Sequence, residues 1–462
     1  MLELTIIAIY FLILIFIGVW TRGKIEGKEG YFVADRRGSV PFITGSLLVT
    51  AVGGSATVGM AGLGYTCGLA GAWWLLVGSI NFIILGAFFA KKVRGSALYT
   101  LPELVEKQYD RRVGLAASGL IVIAWIGVVA AQIVAAGKLL SVLGLGPWGM
   151  IIFAVVFITY SILGGQFSVI YTDALQGTMI FAGIFVALIL VLSQVGGIEG
   201  LGALPAGHLS FPVAPDFNWK DLLSLFILVG ATYIVGPDIY SRIFSARDEK
   251  TAQKSIFLAA LLFIPLAFAI TLIGMGAKIL YPEIAAEEAL PRVISGVPLT
   301  GFILMALIAA LMSSADTCLL TQSVILTEDM LNVSPQSGKS VLITRGSMLV
   351  LGGLALALAI SLDNVIQTLL FAYTIFTCGL VVPVIAGFYK ERLRIRVSSE
   401  GALVALIGGG LIGLMGELPA IQFPFKEDMG LLGFAASAIL LFGVSAIFRG
   451  KTGKNEKDPK PK

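Results

Sequence analysis

Residues 310–317 read Ala310-Leu311-Met312-Ser313-Ser314-Ala315-Asp316-Thr317 and lie inside an otherwise apolar segment. Positions 310, 313, 314 and 317 follow the spacing i, i+3, i+4, i+7, so on a helix they share one face. Hydroxyl and carboxylate oxygens are the ligands that a small hard cation such as Na⁺ needs when it loses its water. This face is therefore the first candidate for an ion site.

The composition of the chain places this segment in a membrane. Of its 462 residues, 57% are hydrophobic and only 13% are charged, and the mean hydropathy is +0.94. Apolar runs of about 20 residues, the length that crosses a bilayer about 30 Å thick, recur from end to end. This balance excludes a soluble globular protein and predicts an all-α integral membrane protein.

Few residues of the chain could support catalysis. The one histidine, His208, falls in a loop, and the three cysteines lie in apolar runs without metal-ligand spacing. A nucleophile would have no His/Glu cluster to activate it. The net charge of +4 comes from basic loops, so it does not indicate nucleic-acid binding. We therefore expect neither an enzyme nor a nucleic-acid-binding protein, but a protein whose partners are the lipid bilayer and small solutes.

We predict thirteen membrane spans. They cover residues 4–20, 41–66, 68–90, 113–138, 146–163, 169–194, 222–236, 255–279, 298–326, 343–361, 364–388, 400–416 and 429–448. On this map, 27 of the 32 Lys and Arg residues fall on one side of the membrane. By the positive-inside rule, the asymmetry predicts a multi-pass protein of the cell membrane with the N-terminus outside and the C-terminus in the cytoplasm.

Glycines interrupt two of the predicted spans. Span 2 contains Gly53 and Gly54 near its centre, and span 7 contains Gly230 and ends at Gly236-Pro237. Backbone carbonyls released at such breaks need new partners, and a cation can be one. The alternative is that these glycines only allow close helix packing.

The two interrupted spans lie five spans apart, so the blocks that they open have opposite orientations. This pattern predicts a 5+5 inverted repeat with a substrate site at the two breaks. The predicted organisation is a single membrane domain, divided into the first span and its loop (1–40), repeat one (41–194), repeat two (221–388), two extra helices (389–448) and a cytoplasmic tail (449–462).

Four motifs in register resemble the sodium:solute symporter family over roughly residues 30–395. They are Tyr31–Arg37, Gly164–Gln176, Ser241–Asp248, and Ser313–Thr317 followed by Glu328-Asp329. Gln166 is a departure, because the family usually has an apolar residue after the glycine pair. The resemblance implies the leucine-transporter type of inverted repeat and secondary active symport of Na⁺ with a small organic solute by alternating access.

The resemblance also implies a central Na⁺ site between spans 2 and 9. Its ligands would be the backbone carbonyls of Val49, Val52 and Ala310 and the hydroxyls of Ser313 and Ser314. Five neutral oxygens suit a monovalent cation that must also leave. The alternative is that the serines donate to carbonyls one turn earlier on their own helix.

A possible second ion site involves Asp173, Asp316 and Thr317, because some family members are similar in having one between spans 6 and 9. Two buried carboxylates without a cation repel each other, and one takes a proton. The hypothesis is that they hold a second Na⁺ or share a coupled proton. Alternatively, Asp173 caps the start of span 6 and Asp316 bonds a neighbouring serine or a water.

The candidate solute-binding residues are mostly neutral and lie at the two breaks and on spans 4 and 11. They are Gly53, Gly54, Ser55, Ala56, Trp125, Gln132, Thr232, Tyr233, Phe371, Tyr373 and Thr374. The aromatic members could instead be packing residues.

Apolar residues stand where similar sugar carriers have polar ones. Sugar carriers place amide and carboxylate groups near the positions of Ala56 and Leu75, so sugar hydroxyls would lack partners here. We therefore expect a small carboxylate solute, either an amino acid such as proline or a monocarboxylate. Ala51 weakens the choice of proline, because proline carriers of the family have an aspartate there. The competing hypotheses are proton-coupled symport through Asp173 and Asp316, and a passive channel or uniporter.

Overall fold

The computed structural model describes residues 2–22, 27–333, 339–362, 364–391, 397–417 and 428–452. Within these ranges every regular element is a helix, and eleven helices are long and apolar enough to cross a membrane. The all-helical membrane fold predicted from the sequence is therefore confirmed. Residues 453–462 of the predicted tail lie outside the described residues.

We number the main helices in chain order. They are α1 (Leu2–Arg22), α2 (Val40–Ala51), α3 (Ser55–Phe88), α4 (Arg111–Ser141), α5 (Gly146–Gln194), α6 (Trp219–Ser245), α7 (Glu249–Leu280), α8 (Thr300–Met330), α9 (Lys339–Ile360), α10 (Val365–Tyr389), α11 (Ser399–Glu417) and α12 (Met429–Thr452). Short helical segments between them are Gly27–Val33, Ala34–Arg36, Ala90–Gly95, Leu101–Gln108, Gly197–Gly200, Leu201–Ala203, Ala206–Leu209, Ala286–Glu288 and Ala289–Ser295.

Helix α5 contains two of the predicted spans, and α3 contains the second half of span 2 together with most of span 3. Helix α5 is interrupted at Gly165, whose φ of 51° and ψ of −146° are not helical. Helix α3 is interrupted at Gly68, where φ is 63°. A left-handed φ is open to glycine at little cost, so both interruptions depend on the absence of a Cβ atom. At Gly165 a Cβ would also lie 2.6 Å from the ring of Tyr31.

Side-chain caps begin several helices. The Asp110 carboxylate accepts the N–H groups of Arg112 and Val113 at 2.8 and 3.1 Å to start α4. Asp248 accepts the N–H of Thr251 at 2.7 Å to start α7. That hydrogen bond favours the ionised form, so it lowers the pKa of the Asp248 carboxyl.

The chain breaks between α2 and α3 and again inside α6. Val52 and Gly53 are non-helical between α2 and α3. In α6 the break falls at Gly236, which has a ψ of 127°, and a new helical segment begins at Pro237. The predicted end of span 7 at residue 236 coincides with this break, and a further helical segment, Pro237–Ser245, follows it. Proline suits the first position of a helix, so Pro237 starts a segment instead of ending the span.

Helix α8 occupies the centre of the bundle. Residues 306–325 are all buried, and 94% of the most apolar window of α8 is buried, against 28% for α1, 33% for α9 and 22% for α12. The polar stretch 310–317 is therefore enclosed by protein, as expected for polar residues at membrane depth.

Close packing of α3 against α7 depends on glycine. A Cβ on Gly274 would overlap the carbonyl oxygen of Ala61. We expect Gly274→Ala to destabilise the protein by about 1–3 kcal/mol, because the two backbones must move apart. The measurement is the melting temperature of the purified protein. Gly353→Ala is the matched control, since its Cβ would meet nothing within 4 Å. Equal melting of the two variants would contradict this account.

Candidate ion and solute site

Oxygen atoms from α2 and α8 converge beside the first break. The Ser314 hydroxyl donates to the carbonyl of Thr50 at 2.9 Å and lies 3.3 Å from the carbonyl oxygen of Val49. These carbonyls belong to the last turn of α2, where helical partners run out. A Cβ on Gly53 would lie 2.6 Å from the Ser314 hydroxyl oxygen, so glycine permits this approach. The three oxygens are neutral and buried, a set that suits Na⁺.

The other predicted ligands of the central site lie on the same elements but make different contacts. Val52 donates its N–H to the Leu48 carbonyl at 3.1 Å, and Ala310 is buried on α8. Ser313 donates to Asp173 Oδ1 at 2.5 Å. Neither serine hydroxyl donates to a carbonyl one turn earlier among the hydrogen bonds found, so both connect α8 to other helices.

Asp173 forms a buried ion pair with an arginine that the sequence analysis missed. Arg242 Nη2 lies 3.2 Å from Asp173 Oδ2, and both side chains are fully buried. Arg242 Nε donates to the Ser46 hydroxyl at 3.0 Å. Ser46 in turn donates to Asp173, and Arg242 donates to Thr317. Asp173 is thus held by side chains of α2, α6 and α8 and does not cap a helix.

Asp316 has its own donors beside this network. Tyr160 donates its hydroxyl to Asp316 Oδ2 at 2.6 Å, and Thr317 Oγ1 lies 3.3 Å from Asp316 Oδ1. The cluster therefore contains two carboxylates and one guanidinium. If both carboxylates are ionised, one more positive charge, either a cation or a proton, would neutralise it.

A small cavity lies where the two breaks meet. It is lined by Thr50, Ala51, Trp125, Thr232, Tyr233, Asp238, Ile239 and Tyr373. Its volume of about 20 Å³ holds about one water molecule. Four of the predicted solute residues, at positions 125, 232, 233 and 373, come together here. Asp238 was missed, although its position directly after Gly236-Pro237 marks the start of a helical segment.

Residues at the first break are tied to α4. The N–H of Gly54 donates to Gln132 Oε1 at 2.6 Å. Thr57 donates back to the Gly53 carbonyl at 2.9 Å. Ser55 and Ala56 are buried in the next turn. The predicted residues 53–56 and 132 therefore form one group, and Gln132 supports the break by accepting a backbone N–H.

Two of the predicted solute residues are placed elsewhere. Phe371 is 37% exposed at the surface of the bundle. Thr374 donates to Glu417 Oε1 at 3.1 Å and so faces α11. Because successive residues of a helix are rotated by about 100°, only Tyr373 of this group can face the cavity. Phe371 and Thr374 therefore do not line this cavity in the structure.

Both ends of the bundle near the site are held by charged contacts. At one end Lys138 Nζ lies 2.5 Å from Glu287 Oε2, while Glu287 Oε1 accepts the Val365 N–H at 2.8 Å. At the other end Arg36 Nη1 donates to the Phe244 carbonyl at 3.2 Å. The Gly38 N–H donates to the Ser245 carbonyl at 3.0 Å.

Known relatives are transporters. A sodium/glucose cotransporter of Vibrio parahaemolyticus is 26% identical over 99% of this chain and 92% of its own length. The sodium/glucose cotransporter 4 of Homo sapiens is 28% identical over 96% of this chain and 74% of its own length.

Solved structures share the fold. A Na⁺-coupled sialic acid symporter in a substrate-bound outward-open state gives a TM-score of 0.84 at 19% identity, covering 97% of this chain and 98% of the other. A nucleobase-cation-symport-1 family transporter in a closed conformation gives a TM-score of 0.64 at 15% identity, covering 91% of this chain and 95% of the other.

The family assignment rests on the match over most of the chain. The model of the sodium:solute symporter family matches residues 31–409. This range includes α2, α5, α6 and α8, which carry the oxygen cluster and the ion-pair network. The chain belongs to the sodium:solute symporter family.

Proposed function

We propose that this protein is a secondary active transporter in which Na⁺ entry drives the uptake of a small organic solute by alternating access. Na⁺ is the coupling ion. The observation that carries the proposal is the position of Thr50, whose carbonyl belongs to the oxygen cluster while the residue also lines the cavity. A Na⁺ ion bound at Ser314 and the last turn of α2 would therefore change the shape of the solute cavity. Binding energy can be coupled between two sites in this way.

The membrane arrangement that we propose has thirteen spans and two inverted repeats. Repeat one would cover 41–194 and repeat two 221–388, with the N-terminus outside and the C-terminus in the cytoplasm. The two breaks, one near Gly53 and one at Gly236, support the repeat. The asymmetric distribution of Lys and Arg supports the orientation.

For the solute we propose an amino acid such as proline, or a monocarboxylate. Ala56 and Leu75 are both buried and apolar, so they offer no partners for sugar hydroxyls. The transported molecules named for the relatives are glucose and sialic acid. A passive channel is less well supported, because the cavity holds only about one water.

A second coupled cation is the other candidate function of this site. With both carboxylates ionised, Asp173, Asp316 and Arg242 carry one net negative charge, which a second Na⁺ or a proton would neutralise. We expect Asp316→Asn to lower the Na⁺ Hill coefficient of uptake or to flatten its pH profile, because the variant removes that charge. The test measures the Na⁺ Hill coefficient and the pH profile of uptake for the wild-type protein and for Asp316→Asn. If neither changes, the second coupled cation is excluded.

The melting temperature of the purified protein tests the main proposal. It should be measured in Na⁺, K⁺ and choline, with amino acids, monocarboxylates, sugars and nucleobases. Ligands that bind only the folded state raise it by mass action. We expect a Na⁺-specific rise that one carboxylate solute increases and that Ser314→Ala weakens, because Ser314 provides the hydroxyl beside the carbonyls of Val49 and Thr50. Equal melting in the three salts, without a solute effect, would contradict Na⁺ coupling.

A further inference from the structure

Asp238 is a carboxylate in α6, a helix long and apolar enough to cross a membrane. It is the second residue of the helical segment Pro237–Ser245 and lines the cavity. No ion pair of Asp238 occurs within the described part of the chain, and Arg242, one turn further on, is bound to Asp173. A carboxylate in such a place is costly without a partner, so it indicates a functional role.

Three aromatic side chains line the same cavity as this carboxylate. They are Trp125, Tyr233 and Tyr373. The Trp125 ring packs against Phe376 with centroids 4.7 Å apart, and the Tyr233 ring packs against Phe82 at 5.4 Å. The indole N–H of Trp125 is buried and has no hydrogen-bond partner among the described residues. Aromatic faces together with a carboxylate form a site that attracts an organic cation.

The chemistry of the lining favours an ammonium group over the other candidates. Na⁺ requires several hard oxygen ligands, and those converge at Ser314 instead. A monocarboxylate alone would be repelled by Asp238. A sugar would leave the carboxylate without a counter-charge. The Thr232 hydroxyl also does not offer its proton to a sugar, because it already donates to the Val229 carbonyl at 2.6 Å.

We propose that the cavity binds the ammonium group of an amine-bearing solute, with Asp238 as its counter-ion and the three rings around it. This inference rests on the proposed symport function and makes its substrate class specific: a zwitterionic amine, not a monocarboxylate. Because the cavity holds only about one water in this structure, the rings must separate when the solute binds.

The alternative role of Asp238 is to stabilise the start of its helical segment. Carboxylates are favourable near the N-terminus of a helix. Asparagine retains much of this structural ability but not the charge. Asp238→Asn therefore separates recognition of a cation from support of the fold.

The test uses the purified full-length protein in saturating Na⁺ and titrates glycine, proline, glycine betaine, lactate and glucose while the melting temperature is followed. We expect at least one of the three nitrogen cations (glycine, proline or glycine betaine) to raise the melting temperature of the wild-type protein, and Asp238→Asn to weaken the binding of that compound at least 10-fold. The rise caused by Na⁺ alone should be unchanged. Asp216→Asn, at an exposed loop position, is the matched control and should bind like the wild type.

Several results would overturn the inference. One is a melting temperature that no nitrogen cation raises, whether or not lactate or glucose raises it. Another is binding of a nitrogen cation that Asp238→Asn leaves intact. A missing Na⁺ effect with an intact, Asp238-dependent amine effect would instead contradict the proposed Na⁺ coupling. The two proposals therefore fail in distinguishable ways.

Discussion

Arg242→Gln should destabilise the protein by about 3–5 kcal/mol, because it leaves a buried carboxylate without its cation. Arg242 lies 3.2 Å from Asp173, and both side chains are fully buried among α2, α5, α6 and α8. The variant also removes the donors to Ser46 and Thr317. The measurement is the melting temperature of the purified protein together with its yield as a monodisperse species.

A second substitution distinguishes the lost ion pair from general damage. Asp173→Asn combined with Arg242→Gln removes both charges, so the double variant should be more stable than Arg242→Gln alone. Arg247→Gln is the matched control, because the Arg247 side chain is 63% exposed and its ion pair with Asp248 lies at the surface. It should change stability by less than about 1 kcal/mol. If the loss of stability in the double variant equalled the sum of the losses in Asp173→Asn and Arg242→Gln, a specific Asp173–Arg242 pair would be contradicted.

Ser314→Ala should weaken the binding of Na⁺ at least tenfold, which corresponds to about 1.4 kcal/mol of binding free energy. The variant removes the α8 hydroxyl that stands between the carbonyls of Val49 and Thr50. The Na⁺ concentration that gives half of the maximal rise in melting temperature measures the effect.

The matched control for Ser314→Ala is Ser323→Ala. Ser323 is buried on the same helix, and its hydroxyl has no hydrogen-bond partner among the described residues. Its replacement should leave the Na⁺ dependence unchanged. If both variants required the same Na⁺ concentration as the wild type, Ser314 would not be an ion ligand.

Local signals in the sequence were enough to identify the membrane helices and the polar face of α8. Apolar runs reveal the spans, and the spacing of residues 313, 314 and 317 reveals a shared face. The glycines at 53 and 54 mark the first break, because paired glycines inside a span weaken the helix. These features depend on residues close together in the chain.

Features that depend on contacts between distant segments were missed. Arg242 was assigned to a loop because span 7 was ended at Gly236, and its partner Asp173 is 69 residues away in the chain. Asp238 was missed for the same reason. Phe371 and Thr374 were grouped with Tyr373 as candidate solute residues, but only Tyr373 lines the cavity. The rotation of α10 about its axis, which is set by packing against its neighbours, decides which of the three faces it. Sequence alone does not specify that rotation.

The most direct test of Na⁺-coupled symport is solute accumulation in proteoliposomes that contain the purified protein. The labelled solute should be the one that raises the melting temperature most in Na⁺. An inward Na⁺ gradient should concentrate it above the outside level. Replacement of Na⁺ by choline, or the Ser314→Ala variant, should reduce uptake to simple equilibration or less. Accumulation driven equally by a proton gradient without Na⁺, or mere equilibration under the Na⁺ gradient, would contradict the account.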